Sequence, residues 1–135
     1  MSNILSGRKI YIIALALALV MGCASLERNS YVAIGTITTG VELARQAYID
    51  HANTCACVTE AEFANVRSLY EKYQLAARAV QTAVTVYKTS GDQNQLKLAI
   101  NAATASAADL IRLVTSLLPP GDTARLKPKL PKEIL

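Results

Sequence analysis

The strongest constraint on the fold is a periodic stripe in the middle of the chain. Phe63, Val66, Tyr70, Tyr73, Ala77, Val80, Val84 and Tyr87 recur at alternating steps of three and four. That spacing places them along one face of a helix and makes a strand untenable. Arg67, Glu71, Lys72, Arg78 and Lys88 fall off the stripe, as a solvated face requires. Thr59-Glu60-Ala61-Glu62 precedes the stripe and reads as a capping box. There the Thr59 hydroxyl accepts from the amide of Glu62, and the Glu62 carboxylate reaches back to the amide of Thr59. Gly91 suits a left-handed cap at the far end. The pattern therefore predicts a helix from Glu60 to about Thr89, roughly 45 Å long at about 1.5 Å per residue.

A third helix is expected from an Asp92 cap to about Leu118. Its stripe is Leu96, Ile100, Ala103, Ala107, Leu110, Val114 and Leu117. Alanine at 99, 102, 103, 105, 107 and 108 keeps its middle thin, which suits close helix approach and offers a surface for self-association or a protein partner. A first helix is expected over about Ser30 to Ala52, capped by Asn29 or Ser30, with Ile34, Ile37, Val41, Ala44, Tyr48 and His51 on one face. Gly35, Gly40 and the threonines at 36, 38 and 39 weaken its first half, where Val32, Ile34 and Thr36 also alternate as a strand would. No later segment offers that strand a partner, so helix is preferred. The expected fold is all-α: an antiparallel three-helix up-down-up bundle over 30–118. Tyr48, Tyr70, Tyr73 and Tyr87 should place rings in its core and hydroxyls near its edge. The segment 119–135 has prolines at 119, 120, 128 and 131 with Lys127, Lys129 and Lys132 between or beside them, and reads as an extended, mobile basic tail.

The N-terminus carries a different pattern. Arg8 and Lys9 precede an uncharged apolar run, Ile10 to Met21, and then Gly22, Cys23, Ala24 and Ser25. The run is shorter than the roughly 20 residues a spanning helix needs and matches the apolar part of a secretory signal. Val20-Met21-Gly22-Cys23 resembles the cleavage site of bacterial lipoproteins, fitting at Val20, Gly22 and Cys23. Met21 departs from the smaller residue usual in that family. The resemblance implies removal of residues 1–22, acyl chains such as palmitate on Cys23, and a short spacer over 23–29. Ala24 in place of an aspartate implies sorting to the outer membrane, facing the periplasm. Several acyl chains give a stable anchor where one would not.

Charge excludes one class of partner. The 135-residue chain has a formal net charge of +4, but residues 23–118 hold eight basic and eight acidic groups. The excess lies in Arg8, Lys9 and the tail, so no basic stripe marks the folded part as a nucleic-acid binder. The tail's charge suits a solvated end, or an arm toward anionic headgroups, anionic cell-wall polymer or an acidic partner.

His51-Ala-Asn-Thr-Cys55-Ala-Cys57 is the sharpest local oddity. Export would place Cys55 and Cys57 in an oxidising compartment, where residues two apart can bridge as a disulfide. Two thiolates and an imidazole also suit zinc or copper, although only three ligands are present. One cysteine could instead bridge to a partner chain. With a single histidine, scattered carboxylates and no glycine-rich phosphate loop, no catalytic constellation or cofactor motif is present. The leading expectation is a non-enzymatic, membrane-anchored lipoprotein acting as a helical binding or scaffold module. A phage- or plasmid-derived lysis or exclusion lipoprotein, and a metal-handling or redox protein built on His51, Cys55 and Cys57, are the alternatives.

Overall fold

The computed structural model describes residues 4–131, with side chains from residue 26 onward. Cleavage after Gly22 and acylation at Cys23 fall on side chains outside the described residues, as does Lys132. The protein is all-α. Its helices are α1 (Ile4–Thr54), α2 (Glu60–Ser90), α3 (Gln93–Leu117) and α4 (Pro120–Leu126), followed by a 3₁₀ turn, Lys127–Lys129. Among the described residues there is no strand, so the alternation of Val32, Ile34 and Thr36 is not used.

The chain divides into two compact units, Met1–Val32 and Ala33–Leu135. The first is helical from Ile4 onward. The expected spacer over 23–29 and the cap at Asn29 or Ser30 do not interrupt it. Ser30 does not cap: its hydroxyl donates back to the carbonyl of Leu26 at 2.7 Å, as serine does inside a helix. Leu26, Glu27 and Arg28 are good helix formers and supply no stop signal.

The second unit is a helical bundle. Thr39 bonds back to the Gly35 carbonyl at 2.9 Å, so its hydroxyl is satisfied without breaking the helix. α2 begins with the complete capping box, Thr59 accepting from the Glu62 amide and Glu62 from the Thr59 amide. It ends at Gly91 with φ 71°, a left-handed conformation that a Cβ would strain. Asp92 then caps α3 by accepting from the Asn94 amide at 2.9 Å. Gly91 and Asp92 alone separate α2 from α3, and the two helices pack against each other.

The core gathers one stripe from each helix. Ile37, Val41, Ala44 and Tyr48 of α1 cluster with Val66 and Tyr73 of α2 and Ala107, Leu110, Ile111 and Val114 of α3. Farther along α2 and α3, Val80, Val84, Tyr87, Leu96 and Ala103 are also buried. One stripe member departs. Phe63 is 50% exposed, because it sits in the first turn of α2, where the bundle ends. α3 is long and apolar enough to cross a membrane by length and composition. Within this fold Leu96, Leu110 and Val114 instead lie in the protein interior.

The tail is the main correction. Residues 120–129 are helical rather than extended. Pro120 occupies the first position of α4, where its missing N–H costs nothing and its φ is already helical. The amides of Asp122 and Thr123 donate to the Pro119 carbonyl. Leu126 and Leu130, four residues apart, are buried with Leu118 in the main core. That apolar pair outweighs the prolines. Lys127 and Lys129 remain exposed.

Leu110 is fully buried, so Leu110→Ala should lower unfolding free energy by about 2–5 kcal/mol. Urea denaturation followed by circular dichroism measures this. Leu126→Ala should also destabilise clearly, whereas an unpacked tail would leave the midpoint unchanged.

Candidate functional site

The candidate residues converge on the connection between α1 and α2. α1 ends at Thr54, with His51 in its last turn. The Cys55 amide continues the helical pattern by donating to the His51 carbonyl at 2.9 Å. The Thr54 hydroxyl lies 3.1 Å from the carbonyls of both Asp50 and His51, occupying acceptors that the helix end leaves open. These bonds hold Cys55 one turn beyond His51. Two residues later the Cys57 amide donates to the Cys55 sulfur at 3.3 Å.

The structure joins Cys55 and Cys57 in a disulfide, with Cα atoms 5.1 Å apart. The Cys57 sulfur lies 4.0 Å from His51 Nε2. The ligating atoms of His51, Cys55 and Cys57 all fall within 4.8 Å of one another. His51 and Cys55 are half-buried and Cys57 is exposed, so the group is reachable from solvent. Asp50, His51 and Thr54 also border an open cleft whose other wall is Asp122, Arg125, Leu126 and Lys129. Asp50 and Asp122 stand against Arg125 and Lys129 there, so the cleft has no strong sign.

A second groove runs between α1 and α2, lined by Arg45, Tyr48, Ile49, Phe63, Val66, Arg67, Tyr70, Glu71 and Gln74. Its charges are mutually compensated. Arg45 sits 5.0 Å from the Tyr70 ring centroid and 3.4 Å from Glu42, and Arg67 lies 3.0 Å from Glu71. Both ion pairs are exposed and contribute little to stability.

Sequence reasoning placed the tyrosine rings correctly but not all of their hydroxyls. The Tyr73 hydroxyl meets the Thr38 hydroxyl at 2.6 Å, and Tyr70 donates to Glu42 at 2.6 Å. The Tyr48 hydroxyl is buried and has no hydrogen-bond partner among the described residues. The Glu42 pairing was not foreseen. Glu42 lies off the first stripe, and only the tertiary approach of α1 and α2 brings it to Tyr70.

The bond from Tyr70 to Glu42, with burial and the carboxylate's charge, raises the phenol above its ordinary value. Burial raises Tyr73 in the same direction. A raised phenol pKa stabilises the fold fully below about pH 10, the unfolded value, and that contribution is lost as pH climbs through the folded value. Glu42→Gln should bring the Tyr70 titration down toward that ordinary value. Titration of tyrosinate absorbance, with Tyr70→Phe identifying the signal, checks it. No family model, no curated protein and no solved structure matches this chain.

Proposed function

We propose that this chain is a lipid-anchored, non-enzymatic envelope protein of bacteria, a small helical scaffold or binding module tethered through Cys23. The observation that carries the reading is the order Arg8-Lys9, apolar run to Met21, then Val20-Met21-Gly22-Cys23 at its end. Charge, apolar length and a small residue before cysteine are what export followed by acylation require. Ala24 after the acylated residue favours the outer membrane, with the domain facing the periplasm. Residues 30–118 form an antiparallel up-down-up arrangement in this reading, in keeping with the short connections at 55–59 and 91–92.

The surface supports binding better than catalysis. Leu98 is 68% exposed and shares the outer side of α3 with exposed Ala102 and Ala105. Leu75 is 66% exposed on α2. Such a surface, low in charge and thin in side chains, suits a second helix from another copy or from an envelope protein. Exposed Lys127 and Lys129 add a modest basic edge for an anionic surface.

Cys23→Ser tests the tether. The wild-type chain should fractionate with membranes, start at residue 23 and carry acyl mass in mass spectrometry. The variant should accumulate as the uncleaved precursor without acyl mass, as should wild type under a globomycin-type inhibitor of the lipoprotein peptidase. A variant that still starts at residue 23 and fractionates with membranes, differing from wild type only by the exchange of sulfur for oxygen, overturns the anchor.

A further inference from the structure

We infer that His51, Cys55 and Cys57 form a redox-gated site for a divalent thiophilic ion of the zinc class, closed as a disulfide and opened by a dithiol reductant. The inference rests on the geometry at the end of α1 and is independent of the anchoring at Cys23.

Three donors already stand close to chelating distance. Zinc bonds of about 2.0–2.3 Å in a tetrahedron place ligand atoms roughly 3.3–3.8 Å apart. The Cys57 sulfur and His51 Nε2 are 4.0 Å apart, and all three ligating atoms lie within 4.8 Å. Opening the disulfide, so that the two sulfurs part from bonding distance, and rotating the three side chains gives a three-ligand centre with its fourth position open to solvent. The backbone need not reorganise, because the Cys55 amide is tied to the His51 carbonyl at 2.9 Å. The Cys57 amide, 3.3 Å from the Cys55 sulfur, is placed to support that sulfur as a thiolate.

The bond must open first, since disulfide sulfurs carry no thiolate charge. Cys57 is exposed, which gives a reductant access. One thiolate of an external dithiol attacks the Cys57 sulfur, the bond to Cys55 breaks, and Cys55 leaves as a thiolate. The second reductant thiol then displaces Cys57 and closes the reductant's own disulfide. Two electrons pass to the protein, and the two protons given up by the dithiol end on Cys55 and Cys57. Zinc(II) binding releases those two protons to solvent. Exchange with an external disulfide, which takes the two electrons and leaves as a dithiol with two protons from solvent, re-forms the Cys55–Cys57 bond and expels the ion.

Charge selects a divalent ion. Zinc(II) with two thiolates and neutral imidazole has no net charge, whereas copper(I) in the same set leaves −1. The carbonyl end of a helix carries roughly half a negative charge, which disfavours the anionic complex. His51 sits at that end of α1.

The test uses the full chain in detergent micelles. It is treated with dithiothreitol, desalted without oxygen, and titrated with zinc(II) against a chromogenic chelator. Cobalt(II) then reports thiolate coordination by its charge-transfer band. Reduced chain should bind one zinc and unreduced chain none. Cys55→Ser with Cys57→Ser should abolish uptake, and His51→Ala should weaken it by more than about a hundredfold, beyond the roughly 10–100-fold that a lost supporting contact costs. Circular dichroism should show unchanged helix content in each variant. Cys23→Ser should retain uptake, which separates this site from the tether. No uptake by reduced wild type, equal affinity in His51→Ala, loss in Cys23→Ser, or uptake of copper(I) but not zinc(II) overturns the inference.

Discussion

Burial of one apolar stripe per helix in a shared core is the constraint on which the folded unit depends. None of these helices has an apolar face that could be left in water. Val41, Leu110 and Val114 are fully buried, and each contributes on the order of 1.5–3 kcal/mol only when a neighbouring helix covers it. The caps at Thr59 and Asp92 and the left-handed Gly91 are secondary to this. They set where helices start and stop, so that the stripes come into register. Thr59 and Asp92 each offset orphan amides that a helix start would otherwise expose, an effect of about 1 kcal/mol each.

That division of labour explains what could be read in the sequence. α2 was legible to within a residue or so, because an unbroken stripe, a capping box and a glycine stop all agreed. α3 was legible from its own stripe, the Asp92 cap and the prolines that follow Leu118. The start of α1 was not. Asn29 and Ser30 both suit a cap, but a serine hydroxyl can equally bond four residues back, and only the preceding residues decide between the two. The tail misled through its prolines. Pro120 stands where helices accept proline, and the pair Leu126 and Leu130 gives the segment an apolar face that its charge obscured. Local rules ranked the prolines first. Tertiary burial ranked the leucines first, and it prevailed.

The candidate site was legible as a residue set but not as a geometry. His51 and Cys55 are a helical turn apart by number, whereas the placement of Cys57 depends on how the connection folds. The disulfide closes a very small ring, so its entropic contribution to global stability is slight. Its effect is local: it fixes the connection between the last turn of α1 and the Thr59 cap of α2. The pairing of Tyr70 with Glu42 shows the opposite limit. Nothing in spacing joins residues 28 apart on different helices, and only packing reveals the bond.

A tether changes what such a surface must achieve. A protein confined to a membrane meets its neighbours at high effective concentration, so weak contacts suffice for stable association. The exposed leucines and alanines of α2 and α3 are too few for a tight interface in free solution. On the proposed membrane tether the same patch would hold a partner without a large apolar area that invites aggregation. If the proposed tether holds, it and the thin apolar face would act in the same direction, toward selective and reversible contact.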